Sequence, residues 1–476
     1  MVVGELAYEK DVVIIGGGPG GYQAAIRAAQ LGRKVTLIEK TDLGGVCLHK
    51  GCIPSKLYAE AADRIRKIKA AGEYGIELSF SAFQLEKLMN EKDRKTAQLK
   101  KGVEELCKSN EIELVKGNAF FLSADRMGIE NGEAYQVFRF KHCLIATGST
   151  PIWPHDNSPR SEKLLDCWSV FSLKKLPDEL IIYGSGYIAL EMAMSFQAFG
   201  ARTSIMLDQE KDDFRFDAAV NREIGRILKK NRIKVYRGAK LLSVEESGSG
   251  VEINYELGGE NKQLKGSCFL TAAGFRPNTA NLGLDRAGVE IDTAGFIKID
   301  QQGKTSVSHI FAAGDVADGP PLASKAIRQG KAAAETIAGL KTEADLRFAP
   351  VVIHTQPPIA YAGLTEQEAL EAGYKIDTGI FPFSSLGYAS VKGSREGMAK
   401  VIFEKETGFL LGVHMIGDGA QELICAGVSL LEMAAREEDM LFPVYAHPSS
   451  AEALLEAVES LKARSIHLPA REKVKT

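Results

Sequence analysis

Apolar positions along this chain fall into short unbroken runs, and two of those runs lead straight into clusters of glycine. Asp11-Val12-Val13-Ile14-Ile15 reads as a strand buried on both faces. Gly16-Gly17-Gly18-Pro19-Gly20-Gly21 reads as a turn, and residues 22–31 as a helix closed by Gly32. A second run, residues 34–38, ends on Glu39 and completes a βαβ unit with an acid at the tip of its second strand. The same grammar returns at Leu180-Ile181-Ile182-Tyr183. Gly184-Ser185-Gly186-Tyr187-Ile188-Ala189, a helix to Phe199, Gly200 and a strand over 203–207 follow, and Asp208 comes next. Between the units lies a charged helical region, 57–110, then short strands finishing at Cys143-Leu144-Ile145-Ala146-Thr147-Gly148, with Pro151 and Pro154 marking a crossover. Residues 308–315 form an apolar strand ending on Asp315, and 322–340 have helical composition. From about residue 348 strand-like runs (399–403, 410–416) alternate with helices (419–436, 450–463).

This pattern predicts an α/β fold with two Rossmann-like dinucleotide-binding domains and a C-terminal α+β domain. The first occupies residues 1–150 with a returning part at 276–347, the second residues 151–275, and the α+β domain residues 348–476. Two nucleotide units in one chain point to two nucleotides held at once, and hydride transfer is the obvious use.

Each glycine in Gly16-x-Gly18-x-x-Gly21 has a mechanical reason to be there. One makes a tight turn, one lets the backbone approach a pyrophosphate closely, and one allows close packing of helix on strand. The helix N-terminus supplies free amides and partial positive charge. Glu39 is placed to accept hydrogen bonds from a ribose. In the second unit Ala189 stands where a third glycine is commonest. Asp208 there would bond a 2′-hydroxyl and repel a 2′-phosphate, and no Arg lies between Asp208 and Phe214, so NAD is favoured over NADP.

Of 476 residues, 45% are hydrophobic and 25% charged, the balance of a globular chain of several domains. A net charge of −3 offers no basic field for nucleic acid and no charged block for a membrane surface. No run reaches the roughly 18 apolar residues needed to span a bilayer. The first ten residues lack the basic flank and apolar core of a secretory signal, so a cytoplasmic location is expected.

Seven cysteines do not make a secreted disulfide framework. Cys107, Cys143, Cys167, Cys268 and Cys425 stand singly, as small buried hydrophobes do. Cys47 and Cys52 differ, being five positions apart in the glycine-rich run Gly44-Gly45-Val46-Cys47-Leu48-His49-Lys50-Gly51-Cys52-Ile53-Pro54-Ser55-Lys56. In a regular helix they would be about 7.5 Å apart along the axis and on different faces. A disulfide usually needs Cα atoms within about 7 Å. Either the segment is distorted, which Gly51 makes cheap, or the thiols stay apart. A zinc site from Cys47, His49 and Cys52 would need further ligands, and no second pair lies nearby.

The cysteine run, together with Ala146-Thr147-Gly148-Ser149, Ala273-Gly274-Phe275-Arg276-Pro277-Asn278, Ala312-Ala313-Gly314-Asp315-Val316 and His447-Pro448-Ser449-Ser450-Ala451-Glu452, resembles the flavoprotein pyridine-nucleotide disulfide oxidoreductases over nearly the whole chain. The likeness is greatest to their dihydrolipoamide-oxidising branch. It implies FAD in the first domain, NAD in the second and a dimerisation domain at 348–476. The nicotinamide would lie on one flavin face and a Cys47–Cys52 disulfide on the other. Cys47 would attack substrate and Cys52 lie nearest the flavin. Lys56 would sit by the flavin and pair with Glu191, and Asp315 would hold the ribityl chain. The helix starting at Leu322 and Ala323 would direct its positive end toward the flavin. Ala119, Thr147, Gly148 and Ser149 would join Gly16, Gly18, Gly21 and Glu39 around FAD. Gly184, Gly186, Tyr187, Ile188, Glu191, Asp208 and Gly274 would hold NAD, and no metal is implied.

Glu452 would orient His447, which would take a proton from the incoming dithiol at the disulfide of the other subunit of a homodimer. The implied activity is NAD+-linked oxidation of dihydrolipoamide on the lipoylated E2 subunit of a 2-oxo acid dehydrogenase complex. Tyr445 and Ser324 depart from that branch where a histidine is common, and the second glycine unit is as close to glutathione-disulfide reductases. NAD(P)H-driven reduction of a small disulfide, or a flavin-binding redox sensor, are therefore the competing readings.

Overall fold

The computed structural model describes residues 7–154, 161–208, 214–248 and 250–469. Its first sheet has seven strands. Glu113–Lys116, Val35–Glu39, Ala7–Ile15 and Ala134–Ile145 run in order and in parallel, followed by Arg126–Asn131 and Asn118–Phe121 as an antiparallel extension. Registers such as Ile14 to Leu37 and Val13 to Cys143 place the unbroken apolar runs at the centre, covered on both faces. Ile310–Ala312 pairs in parallel with the end of Ala134–Ile145, Phe311 opposite Leu144. That pairing carries Asp315 to the sheet edge where the first glycine turn lies. The helix after the turn begins at Pro19 rather than Tyr22, because proline at a first helical position gives up an amide that would be unbonded anyway.

The second glycine unit builds a five-stranded parallel sheet, ordered Lys234–Arg237, Arg202–Leu207, Glu179–Tyr183, Cys268–Thr271 and Leu164–Asp166. Its helix, Tyr187–Phe199, is buried almost all round and ends on Gly200 in the left-handed region. Short strands Ser149–Pro151 and Phe275–Pro277 pair between the two sheets.

The charged region over 57–110 is two helices, Cys52–Ala70 and Leu85–Ser109, separated by a 3-10 turn and an extended stretch. The break falls at Gly72 and Gly75, where helix propagation is least favoured. Tyr58, fully buried, packs its ring against Phe171, Phe196 and Phe199 at centroid distances of 5.2, 6.0 and 5.7 Å. Each such contact contributes about 0.5–1.5 kcal/mol beyond burial. Together they hold the helix that begins at Cys52 against the helix of the second glycine unit.

The C-terminal part is a five-stranded antiparallel sheet, Val351–Ile353, Ile359–Gly363, Leu410–Ile416, Met398–Glu404 and Ile376–Pro382, with helices Ala420–Glu432 and Glu452–Ser460 packed on it. Three of its strands escape the hydrophobic pattern because proline, glycine and charged residues interrupt their runs. Among the described residues no helix is long and apolar enough to cross a membrane.

Candidate active site at the thiol pair and glycine turns

In the first turn a Cβ at Gly21 would stand 1.8 Å from the carbonyl oxygen of Gly16. Helix and strand touch there backbone to backbone, with no side chain free to rotate away. Gly21→Ala is expected to lower stability by about 3 kcal/mol or more. A thermal unfolding midpoint equal to that of the parent would show that this contact yields freely. Gly18 faces open space, its added Cβ reaching no closer than 4.0 Å to Gly45 Cα. The first-turn amides of the helix therefore look onto an open cradle. Glu39 forms its rim, accepting from the amides of Gly17 and Thr41, each at 2.7 Å. Ala119 is buried two residues beyond Gly117, whose amide donates to the Glu39 carbonyl at 3.1 Å.

Across the cradle stands Asp315. Burial pushes its carboxyl up, against the pull of the Lys325 ammonium and the Ser149 hydroxyl, which donates to it at 3.0 Å. Among the described residues no other side chain donates to it. A half-buried carboxylate that accepts from a single side chain fits the hydroxyl groups of a ribityl chain, and the open glycine turn fits a pyrophosphate. Thr147 and Gly148 are held by Asn278, whose side-chain amide donates to the Thr147 carbonyl at 2.9 Å, whose backbone amide donates to the Gly148 carbonyl at 2.9 Å, and whose main-chain carbonyl accepts from the Thr147 hydroxyl at 2.9 Å. Leu322 precedes the first turn of the helix Ala323–Ile337, whose leading amides carry no side-chain cap.

The second turn repeats the backbone contact, a Cβ at Gly184 falling 2.3 Å from the Ala272 carbonyl oxygen, while Gly186 is open. Tyr187 starts the helix, and its hydroxyl donates to the Pro321 carbonyl at 3.3 Å. Ile188 packs into the core behind it. The Gly274 carbonyl accepts from Ile152 at 2.9 Å beside the two short crossing strands. Asp208 is exposed at the tip of Arg202–Leu207, and residues 209–213 lie outside the described residues.

The cysteine run is distorted at its glycine. Cys47 belongs to a short helix, Gly45–His49; Gly51 takes φ −136° and ψ −107°, and Cys52 opens the long helix Cys52–Ala70. The bend brings the sulfurs into reach of each other. The Cys47 thiol, acting as donor, holds Cys52 down to about 7, and the Lys56 ammonium adds to this against burial and Glu191. A helix N-terminus favours a thiolate at the same place. Cys47 is pushed well up, by its hydrogen bond to Cys52 and by burial. His49 is turned away, its Nε2 on the Leu43 carbonyl at 2.8 Å. Among the described residues no group of three or more ligand-type side chains could hold a metal.

One turn along from Cys52, Lys56 Nζ meets both carboxylate oxygens of Glu191, at 2.9 and 3.1 Å. The buried carboxylate of Glu191 also accepts the backbone amide of His354 at 2.9 Å. His354 is a site residue that local sequence patterns do not reveal, and Asn278 ends a motif that sequence singles out without giving this residue a role. Nothing in the chain near position 354 ties it to position 191.

In the C-terminal part, His447 Nδ1 bonds Glu452 Oε1 at 2.8 Å, and the Ser449 amide donates to Oε2 at 2.9 Å. Burial pushes the Glu452 carboxyl up, but these two bonds outweigh it and hold it below the usual range. The His447 side chain is 81% exposed. Among the described residues no hydrogen bond joins it to either cysteine.

The arrangement is thus a thiol of lowered pKa and its partner thiol set between two dinucleotide-type turns, with an exposed histidine bonded to a glutamate in the C-terminal part. The family model for pyridine nucleotide-disulphide oxidoreductases matches residues 10–330, and the model for the dimerisation domain of those enzymes matches residues 349–458. A dihydrolipoyl dehydrogenase of Geobacillus stearothermophilus is 38% identical over 468 residues, covering 98% of this chain and 99% of that one. The mitochondrial dihydrolipoyl dehydrogenase of Pisum sativum is 36% identical over 465 residues, covering 97% and 93%. In fold the chain is similar to the crystal structure of LpdA from Mycobacterium tuberculosis, with a TM-score of 0.87, 24% identity and 95% and 99% of the two chains covered. With one family model matched across the thiol pair and both glycine turns, the other across the C-terminal sheet, and likeness running end to end, the chain belongs to the pyridine nucleotide-disulphide oxidoreductase family.

Proposed function

We propose that this chain is a dihydrolipoyl dehydrogenase, an FAD-dependent enzyme that oxidises protein-bound dihydrolipoamide with NAD+. The observation that carries the reading is the Cys52 helix. It presents a lowered thiol at its first residue and Lys56 one turn on, bonded to Glu191 of the second glycine unit. The thiols therefore lie between the two nucleotide turns, and the full-length likeness to dihydrolipoyl dehydrogenases supports the substrate. Residues 1–150 and 276–347 would bind FAD through Gly16, Gly18, Gly21, Glu39, Ala119, Thr147, Gly148, Ser149, Asp315, Leu322 and Ala323. Residues 151–275 would bind NAD, and residues 348–476 would form the dimer. Bound in that cradle, FAD supplies the passage of an electron pair between the thiol pair and the nicotinamide.

The rest is work for the chain's own groups. His447 of the partner subunit takes a proton from the dithiol substrate, and the thiolate so formed attacks Sγ of Cys47 in the oxidised Cys47–Cys52 pair. A substrate–Cys47 disulfide forms, the Cys47–Cys52 bond breaks, and Cys52 leaves as a thiolate, favoured by the nearby Lys56 ammonium. The second substrate thiol, deprotonated in turn, attacks the substrate sulfur and closes the substrate disulfide, and Cys47 leaves and takes a proton. Glu452 holds the imbalance of charge on His447 by its 2.8 Å bond.

Exposed Met433, Phe442, Val444 and Ile466, all in the C-terminal part, are the apolar groups that a second copy would cover. The lipoylated E2 subunit of a 2-oxo acid dehydrogenase complex is the partner this chemistry requires, and a reducing cytoplasm suits a thiol pair that cycles.

Dihydrolipoamide-dependent reduction of NAD+, followed by nicotinamide absorbance, tests the reading. Asp208 should give NAD+ a kcat/KM advantage over NADP+ on the order of tenfold or more. Oxidation of NADPH by glutathione disulfide, with dihydrolipoamide left untouched, would overturn both the substrate and the nucleotide assignment.

A further inference from the structure

Three carboxylates of the second nucleotide unit reach across to the C-terminal part, and each accepts a main-chain amide there. Glu191 takes the amide of His354 at 2.9 Å, Asp217 that of Glu366 at 3.1 Å, and Glu223 that of Gly397 at 3.0 Å. Each also has a cation. Glu191 meets Lys56 of the thiol helix, and Glu223 meets Arg226 of its own helix. Asp217 differs, because its cation, Lys400, comes from the strand Met398–Glu404 of the C-terminal sheet. Lys400 Nζ donates to both Asp217 carboxylate oxygens at 2.8 Å and also to Glu366. The side chains of Lys400 and Asp217 are 1% and 0% exposed.

A buried ion pair adds little stability over apolar groups of the same volume. It does select one seating of two bodies, because any other leaves a charge unpaired in a dry seam. The neighbouring contacts belong to the same seam. Lys400 lies opposite His414, and His414 opposite Tyr361, in one row across the C-terminal sheet. The Tyr361 ring meets that of Phe216, the residue before Asp217, at a centroid distance of 5.8 Å. Asp217 in turn caps the helix Ala218–Lys230, accepting the Ala219 amide at 2.9 Å.

That helix is built into the second glycine unit. Ile224, Ile227 and Leu228 share one core with Leu180, Ile182, Ile205 and Leu207 of the parallel sheet. The strand after it, Lys234–Arg237, pairs with Arg202–Leu207, whose tip carries Asp208. Helix and sheet therefore move as one body. The Glu191 contact alone would leave that body free to turn about it. Asp217 and Glu223, at the start and the middle of a different helix, take that freedom away. The thiols and the first glycine turn lie in residues 1–150, so their spacing does not depend on this seam.

We propose that Lys400 is a positioning residue for the nicotinamide step. By holding Asp217 in the seam it fixes how the second nucleotide unit sits on the C-terminal part, and so where a nicotinamide bound there lies relative to the flavin. The inference rests on the reading of residues 151–275 as the NAD domain. It makes the flavin–nicotinamide step, and not the thiol chemistry, depend on a residue that touches neither.

Lys400→Met keeps the length of the side chain and strands the Asp217 charge. In anaerobic holoprotein, the rate at which NADH reduces the flavin should fall on the order of 10- to 100-fold, the scale on which a misplaced reactant slows a reaction. The rate at which dihydrolipoamide changes the flavin spectrum should stay native. The dissociation constant of NAD+, from titration calorimetry, should stay within about threefold, because the glycine turn and Asp208 that set it belong to one body. Glu223→Gln weakens the third contact without stranding a charge, and it should show the same split to a smaller degree. Should Lys400→Met not fold, Glu223→Gln carries the comparison. A merely structural lysine would lower the unfolding midpoint and leave both rates native, or lower both by the same factor, and either result overturns the proposal. So does a loss of NAD+ affinity as large as the loss of rate. A native flavin that NADH does not reduce would instead defeat the NAD reading itself.

Discussion

Mixed dimers made from chains carrying Cys47→Ser and chains carrying His447→Ala should regain activity approaching half that of the native dimer, although each parent homodimer is nearly inactive. The Cys47 variant lacks the sulfur that substrate attacks. The His447 variant lacks the base, a loss on the order of 10²- to 10⁴-fold. The recovery follows from where the structure puts the histidine. Its side chain is 81% exposed, it is tied to Glu452, and it has no hydrogen bond to the thiols of its own chain. It lies within the residues matched by the family's dimerisation domain. If it serves the thiol pair of a second copy, the mixed dimer holds one site with both thiols and the histidine intact and one site lacking Cys47 and the histidine together. If each site were built from one chain, every site in the mixture would carry one lesion and no activity would return. Verified heterodimers that stay inactive would rule out the shared site.

Cys52→Ser should lower dihydrolipoamide turnover on the order of 10³-fold or more, the scale on which a residue that makes and breaks covalent bonds is missed. A hydroxyl forms no disulfide with Cys47 and is a poor leaving group at neutral pH. The same variant should change the ultraviolet thiolate absorbance of the reduced protein. In the native protein that absorbance should rise with a midpoint near about 7, because Cys52 accepts the Cys47 thiol and lies beside Lys56. As pH rises through that value the thiolate fraction grows, and with it the capacity of the pair to return electrons. With Cys52 gone, the neighbouring thiolate that drives Cys47 upward is also gone. The surviving thiol should titrate nearer the ordinary cysteine range. A midpoint that stays near neutrality in Cys52→Ser would mean that the low-lying thiolate belongs to Cys47.

The amino-acid sequence by itself determined the two βαβ units, their glycine turns and the acids closing their second strands, and offered a distortion between Cys47 and Cys52 as one of two readings. All of these are settled within a few residues. An apolar run must be buried, a Cβ at Gly21 has no room, and Gly51 breaks a helix that would otherwise hold the thiols apart. His447 and Glu452 are also close along the chain, and their pairing was what the family resemblance implied. What only the tertiary structure decided are contacts between segments with no shared pattern. Glu191 takes the amide of His354, Asn278 clamps Thr147, and Lys325 turns inward onto the Asp315 loop. A lysine or glutamate on a helix face reads as solvated in sequence. Whether it is instead buried depends on what the distant chain lays over it, and on whether carbonyl oxygens or a counter-charge arrive to replace the water.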